Sequence, residues 1–142
     1  MKTLAIKNGD LAIGANGYAT IEGAAKVQQD LGLAVREPLG TDRFHPQWGS
    51  LLPRYIGEPI NDEMTSLVQA EVTRIVQNYI IQQGQVLRGV VAGRRKPKFE
   101  ANEVVTDIGE VHIRQTLDRL HTKVVLVTLG SRRITIIAPV EG

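Results

Sequence analysis

Cysteine is absent from the 142 residues, so the chain forms no disulfide bond and offers no thiolate ligand to a metal ion. An apolar run long enough to span a membrane is absent as well. The first residues begin like a signal peptide, but Lys7 and Asp10 interrupt them before an apolar segment develops. These absences predict a protein that is made in the cytoplasm and has no membrane partner.

An excess of charge of one sign is also lacking. The 17 Lys and Arg residues against 15 Asp and Glu residues give a net charge of +2, which is too small to indicate nucleic-acid binding. The composition is 42% hydrophobic and 23% charged, which is typical of a globular protein. The length predicts a single domain over residues 1–142 with a modest two-layer core.

The longest helical pattern in the chain covers residues 61–83. Apolar residues recur there at spacings of three and four, which predicts a helix with one buried stripe. Asn61 is the expected N-cap, acidic Asp62 and Glu63 suit the first turn, and Gly84 is the expected end of the helix. The stripe consists of Met64, Leu67, Val68, Val72, Ile75, Val76, Tyr79 and Ile80.

A shorter helix is predicted over residues 21–35. Pro38 should end it, because the residue before a proline avoids the helical conformation. Residues 1–20 are predicted to form short strands or an ordered arm, with a hairpin turn at Asn8-Gly9. No internal repeat is evident.

The last third of the chain is rich in β-branched residues, which predicts a sheet. Strands are expected at residues 85–92, 103–108, 110–117, 123–129 and 132–138. The order of elements therefore predicts an α+β fold, in which two helices pack on a small mixed or antiparallel sheet. The helical part is expected at 21–83 and the β-rich part at 85–142.

An irregular linker precedes the long helix and contains aromatic residues and three prolines. Proline fixes φ and aromatic rings anchor a segment, so the linker is predicted to be ordered. Replacing Trp48 with alanine should cost about 3–5 kcal/mol if the ring is buried. The structural residues expected in this linker are Trp48, Gly49, Ser50, Leu51, Tyr55, Gly57 and Pro59.

Candidate catalytic groups are few. A glycosidase needs two acids that face one sugar, and carboxylates do cluster near the start of the long helix. The favoured interpretation is that these acidic residues compensate the helix dipole and form a solvated helix face. They are Glu58, Asp62, Glu63 and Glu71. The histidines form no metal-binding motif and lie apart in the sequence, at His45, His112 and His121. No phosphate-binding loop or nucleophile motif occurs, so no catalytic site, metal or cofactor is predicted.

One concentrated charge feature is present, the run Arg-Arg-Lys-Pro-Lys at 94–98. It is interpreted as a solvated loop rather than as a contact for nucleic acid or an acidic protein. No aromatic residue is interleaved that would stack on bases. No nucleic-acid partner is predicted.

The last two strands are apolar on both faces, at 124–129 and 134–137. Two interpretations remain open with even weight. The strands form a buried pair in the core, or one of them is an edge that pairs with a strand of another chain. In the second interpretation the pairing residues are Val124, Leu126, Thr128, Ile134, Ile136 and Ala138.

These features together resemble the lysozyme-like baseplate wedge family, the sheath initiators of contractile phage tails and related injection machines. The resemblance covers residues 20–140. It rests on the first helix, on the runs Gln-Trp-Gly-Ser-Leu-Leu at 47–52 and Tyr-Ile-Gly-Glu-Pro-Ile at 55–60, and on a long helix before a β-rich C-terminus. One motif departs from the family: relatives often carry Glu-Pro-Arg where the main helix gives way to a strand, and here only Arg88 corresponds.

The resemblance implies a non-enzymatic structural protein of the virion, located in the tail baseplate. Such a protein joins other baseplate wedge proteins, here with Arg88 as a possible contact, and has the tail tube or hub as a further neighbour. It initiates sheath assembly by pairing a strand with the tail sheath protein. The alternative is a peptidoglycan-degrading muramidase, as the family name suggests. The missing motif glutamate and the lack of an evident acid pair argue against that alternative.

Overall fold

The computed structural model describes residues 2–56, 58–59, 61–91, 101–116, 119–131 and 133–141. The N-terminal segment contains six short strands: β1 (Thr3–Leu4), β2 (Ile6–Lys7), β3 (Asp10–Leu11), β4 (Ile13–Gly14), β5 (Gly17–Tyr18) and β6 (Thr20–Ile21). The helices are α1 (Ala24–Arg36) and α2 (Asp62–Val91), and three longer strands follow: β7 (Val105–Gln115), β8 (Arg119–Thr128) and β9 (Arg133–Glu141). Short 3₁₀ helices lie at Leu52–Tyr55 and Ala101–Glu103. The predicted α+β class is confirmed.

The N-terminal segment, residues 2–23, forms three small antiparallel pairs: β1 with β6, β2 with β3, and β4 with β5. The predicted turn at Asn8-Gly9 is confirmed, since both residues have positive φ, as a tight two-residue hairpin requires. The pairs meet at a closed ring of backbone hydrogen bonds: Ala5 N–H donates to Ala19, Ala19 to Ala12, and Ala12 to Ala5, at 2.8–2.9 Å. The segment is therefore a small, internally bonded unit rather than an extended tail.

This ring reveals a repeat that the sequence analysis missed. Its three alanines are spaced seven residues apart, and each is flanked by strand residues: Leu-Ala-Ile at 4–6 and at 11–13, and Tyr-Ala-Thr at 18–20. The third copy differs in both flanking residues, which hides the period. The side-chain amide of Gln29 in α1 accepts from Ile6 N–H and donates to the Leu4 carbonyl, both at 2.8 Å, and so fixes the unit to the helix.

Helix α1 ends where the sequence predicts. Glu37 is extended and Pro38 follows it, while the Glu37 N–H still donates to the Leu33 carbonyl. At the other end Gly23 has φ 67°, and its N–H donates to the buried Glu103 carboxylate at 2.7 Å. A carboxylate at a helix N-terminus is favourable because it faces the positive end of the helix dipole. Glu103 thereby connects α1 to the segment just before β7.

Helix α2 begins as predicted and ends later. Asn61 caps it, because its side-chain oxygen accepts from Met64 N–H at 2.8 Å. The predicted end at Gly84 and the predicted strand at 85–92 are wrong, since the helix continues to Val91. Glycine lowers helix propensity by about 1 kcal/mol but does not stop a helix that tertiary contacts hold in place. The buried Gln83 provides such a contact.

Gln83 bonds both ends of its amide to the chain that enters β7. Its Nε2 donates to the Glu103 carbonyl at 2.6 Å, and its Oε1 accepts from Val105 N–H at 3.1 Å. Residues 85–91, predicted to belong to the β-rich part, are in the packed helix, and among the described residues the first long strand of the sheet starts at Val105.

The three long strands form one antiparallel sheet in the order β7-β8-β9. The two strands predicted at 103–108 and 110–117 are a single strand, β7, which has irregular pairing on either side of Asp107 and Ile108. Gly109 lies at the second irregularity, and a Cβ there would stand 3.3 Å from the Val125 carbonyl. β-Bulges of this kind bend a strand without ending it.

One face of this sheet packs against both helices and forms the hydrophobic core. Alternate residues of β8 and β9 point into it, as the period of two in a strand requires. The buried core side chains include Val27, Leu31, Leu52, Val68, Val72, Val76, Leu120, Val124, Leu126, Ile134, Ile136 and Val140. In the part of the chain that the structure describes, no helix is both long enough and apolar enough to cross a membrane.

Candidate functional site: the outer edge of strand β9

The sheet order decides which of the predicted pairing residues can lie at an edge. β8 is the central strand: Val124 pairs with Val111 on one side and with Ile136 on the other. The prediction that Val124, Leu126 and Thr128 pair with another chain is therefore wrong, because their strand has neighbours on both sides and their side chains are buried. Within the described residues, β9 has a neighbour on one side only.

The predicted residues on β9 belong to the fold as well as to this edge. Ile134 and Ile136 are 3% and 4% exposed and face the helices. Ile134, Ile136 and Ala138 lie opposite residues of β8 in the antiparallel ladder. They hold the edge strand in place, and so the groups that a partner would meet must come from their neighbours along β9.

The outward backbone groups of β9 are identified by one hydrogen bond. The Gln28 amide of α1 donates to the Thr135 carbonyl at 3.0 Å, so that carbonyl points away from β8. In an antiparallel strand the backbone groups of successive residues point to alternate sides. The N–H and C=O of Ile137 therefore point outward, and position 139 follows the same alternation.

Pro139 agrees with this assignment. Proline has no N–H to give to a ladder, and within sheets it is confined to edge strands with its nitrogen on the unpaired side. The sequence contained this signal, but the predicted strand ended at 138 and so left Pro139 out. The outward residues of β9 are thus Thr135, Ile137 and Pro139. Pro139 has no N–H, and the Thr135 carbonyl already accepts from Gln28. Of these three residues, Ile137 therefore offers both its N–H and its C=O to a partner strand. The Ile137 side chain is 69% exposed.

The opposite edge of the sheet, on β7, is less regular. Its two irregularities interrupt the outward row of backbone groups, and bulges of this kind are a common means of preventing strand addition. Near the other end of β7, the Gln115 side chain donates to the Glu58 carbonyl at 2.7 Å. β9 is therefore the better candidate for pairing with another chain.

The predicted linker motif is structural, and Gly49 shows why. Its φ is 102°, and a Cβ at this position would lie 2.7 Å from the Pro38 carbonyl oxygen and 2.9 Å from that of Glu37. The close approach allows Ser50 N–H to donate to the Glu37 carbonyl at 2.8 Å. Ser50 is buried, and its hydroxyl accepts from Leu52 N–H at 2.9 Å.

An ion pair fixes this linker to α2. The buried Glu71 carboxylate accepts from Leu51 N–H at 2.8 Å and from both Nε and Nη2 of Arg74 at 2.9 and 2.6 Å. Arg74 Nη2 also donates to the Gly49 carbonyl at 2.9 Å. Burial alone would raise the pKa of Glu71, but the bonds from Arg74 and Leu51 outweigh it and the pKa is lowered. Glu71 is thus a charged structural anchor.

The remaining linker residues lie at the surface of the core. Trp48 and Tyr55 are partly buried and pack against it, whereas Pro59 is exposed. Gly57 lies outside the described residues. Trp48 also lines an open groove of about 570 Å³ beside α2. The predicted cost of 3–5 kcal/mol was conditional on a buried ring, and Trp48 is only partly buried.

We accordingly expect Trp48→Ala to destabilise the protein by about 2–3 kcal/mol, below the range for a fully enclosed aromatic ring. Part of the ring already contacts solvent, so its removal leaves less new cavity. Chemical denaturation monitored by circular dichroism measures this change. An unfolding midpoint equal to that of the wild type would show that the ring adds nothing to the core.

Arg88 lies in α2 and is exposed. The strand predicted for this position, after the main helix as in the family motif, is wrong because the helix runs through it. The basic run at 94–98 lies outside the described residues.

The candidate catalytic groups form no common site. Glu58 is exposed at the end of the linker, Glu71 is occupied by Arg74, and Asp62 and Glu63 lie in the first turn of α2. Among the described residues no group of three or more His, Asp or Glu side chains is arranged to hold a metal ion.

A hydrogen-bonded pair that the sequence analysis did not predict joins Asp42 and His45, with 3.0 Å between Oδ2 and Nδ1. Bonds from Phe44 N–H, then from the His45 side chain, lower the pKa of Asp42. The pair closes an exposed turn at the rim of the Trp48 groove.

Comparison with protein-family models, with curated proteins and with solved structures finds no match for this chain.

Proposed function

We propose that this protein is a non-enzymatic assembly protein, a wedge component of a contractile-tail baseplate that initiates the sheath. In this role the outer edge of β9 receives a strand from the tail sheath protein. The observation that supports the proposal is the row of outward backbone groups on β9, with Ile137 at its centre. The linker runs at 47–52 and 55–60 support the baseplate role through the family resemblance alone.

Strand addition suits this edge energetically. Each new backbone hydrogen bond contributes about 0.5–1.5 kcal/mol, and burial of side chains on the added strand adds to that. The bond between Gln28 and Thr135 limits pairing in the isolated protein, and a sheath strand would have to displace it or pair beside it. A sheath must contract without losing its first ring, and a shared backbone ladder persists through rigid-body movement.

The helical part provides the rigid support that such a template needs. Glu103 connects α1 to the sheet, Gln83 connects α2 to it, and α1 packs on β9 itself. The proposed neighbours on this side are other baseplate wedge proteins, for which the exposed Arg88 is a possible contact, and the tail tube or hub.

The test is a nucleation assay with baseplate–tube complexes that lack this protein. Addition of the purified protein should allow its cognate sheath subunits to polymerise on the tube, because the sheath then has a first strand partner. Electron microscopy counts the sheathed tubes. Full sheaths at the same rate without the added protein would contradict the proposal.

The muramidase alternative predicts measurable hydrolysis of peptidoglycan, and we expect none. Glu71, with its lowered pKa and its three donors, is a poor general acid, because that role needs a carboxyl group that stays protonated. Purified protein incubated with peptidoglycan should release no reducing sugar above buffer, with a known lysozyme as the positive control. Turnover that disappears in Glu58→Gln or Glu71→Gln would overturn the assembly proposal.

A further inference from the structure

The face of the C-terminal sheet that points away from the helices is mostly polar, and many of its side chains are exposed to solvent. We call it the outer sheet face. Its identity follows from the core, because Val111 and Ile113 of β7 pack toward the helices and their neighbours along the strand must point the other way. Its members are Asp107, Glu110, His112, Arg114, Thr116, Arg119, His121, Lys123, Val125, Val127, Arg133, Thr135, Ile137 and Pro139.

The positive charge of this face is concentrated around one depression, although the whole chain is nearly neutral. Four Arg and Lys residues lie on it, and its described acidic side chains, Asp107 and Glu110, belong to the first half of β7. The depression further along the sheet is lined by Arg114 and Lys123 and, among the described residues, by no acidic side chain. The pKa of Glu110 is lowered, first by a hydrogen bond from His112, at 3.1 Å, and also by the charges of Arg133 and Lys123. Residues from all three strands therefore act on one another across this surface.

An apolar group lies within the basic surface. A shallow depression of about 470 Å³ is lined by side chains that include His112, Arg114, His121, Lys123 and Ile137. Ile137 pairs with Lys123 in the register, and Lys123 pairs with His112 on its other side. The exposed Ile137 side chain thus lies directly beside Lys123, and His112 and Arg114 follow on the next strand, β7.

We propose that the outer sheet face is a docking surface for an acidic segment of a partner protein. Carboxylates of that segment would pair with Arg114 and Lys123, and an apolar side chain of the segment would cover Ile137. Opposite charges across an interface favour encounter and exclude wrong partners, while an apolar contact at the centre stabilises the complex. This inference does not depend on strand addition at the β9 edge.

Nucleic acid fits this surface less well. Proteins that bind single strands on a sheet present aromatic rings on which bases stack, and no Phe, Tyr or Trp is a member of the outer sheet face. Ile137 would also be left without a suitable contact against a phosphate backbone. The surface favours carboxylates spaced along a protein segment.

The test compares peptide binding by the wild type and by two charge-reversed variants. The probe is a short fluorescent peptide with glutamate at alternate positions and one central isoleucine, and binding is measured by fluorescence anisotropy at low salt. The face variant carries Arg114→Glu and Lys123→Glu, and the control variant carries Lys7→Glu and Arg54→Glu. Both variants have the same net charge, and all four residues are exposed, so the fold should persist in each.

We expect the face variant to bind the peptide about tenfold or more weakly and the control variant within about twofold of the wild type. Ile137→Ser should reduce binding of the isoleucine peptide but leave binding of a serine-centred peptide unchanged. No binding by the wild type, equal loss in both variants, or equal binding of a glutamine-substituted peptide would overturn the proposal. Tighter binding of an oligothymidylate of equal charge through Arg114 and Lys123 would also overturn it.

Discussion

Replacement of Ile137 with proline is expected to stop sheath nucleation while the protein stays folded. Position 137 contributes its N–H to the outer edge of β9 and not to the ladder with β8, and its side chain is exposed. Proline removes that N–H, so a sheath strand would lose the central hydrogen bond of the template. The native Pro139 has the same orientation on the same strand, which shows that β9 accommodates proline on this side. The sheathed-tube count in the nucleation assay measures the effect.

Two control variants make this experiment specific. Ile137→Ala keeps the N–H and removes the side chain, so it should nucleate sheath normally even if it weakens a contact on the outer sheet face. Ile136→Pro removes an N–H that faces β8 and should destabilise the protein. A loss of sheath nucleation in that variant could therefore come from unfolding rather than from a lost partner strand. Normal sheath assembly on folded Ile137→Pro would contradict strand pairing at this edge.

Gly49→Ala is expected to cause a large loss of stability, about 2–4 kcal/mol. Alanine disfavours the φ of 102°, and its Cβ would overlap backbone oxygens of Glu37 and Pro38 that cannot move aside as a side chain does. The displacement would also disturb the hydrogen bond from Arg74 to the Gly49 carbonyl. Urea denaturation followed by circular dichroism gives the free energy of unfolding.

Gly40→Ala is the matched control for this prediction. Gly40 also has positive φ, at 83°, but nothing lies within 4 Å of the position that a Cβ would take. It should therefore cost only the conformational penalty, about 1 kcal/mol. Equal losses in the two variants would show that the close approach at Gly49 contributes nothing beyond its φ.

The start of α2 was predictable from the sequence, but its end was not, and α1 begins at Ala24 rather than at the predicted residue 21 because Ile21 belongs to β6. Asn61 and the acidic first turn are local signals, since they act on backbone groups within one turn. Gly84 is an equally local signal, but the contacts that override it come from Glu103 and Val105, whose placement depends on the tertiary fold. Local propensity is a weak predictor wherever packing decides the outcome.

The candidate site was predicted in part. The composition of the last two strands indicated an edge or a core pair, and the structure contains both: β8 is central and β9 is at the edge. Apolar content cannot order strands within a sheet, because a central strand and a one-sided edge strand both bury an alternate row. The informative residue was Pro139, and the outward bond from Gln28 became visible only when α1 was placed beside β9.

Amide hydrogen exchange at Ile137 is the most direct measurement of strand pairing at β9. NMR measures the exchange rate of each amide, once in the isolated protein and once in the complex that the protein forms with the sheath protein. We expect the Ile137 amide to exchange quickly in the isolated protein and to be protected in the complex, because a sheath carbonyl then accepts its hydrogen. The Ile136 amide faces β8 and should be protected in both states. Unchanged exchange at Ile137 in a complex that has formed would contradict the account.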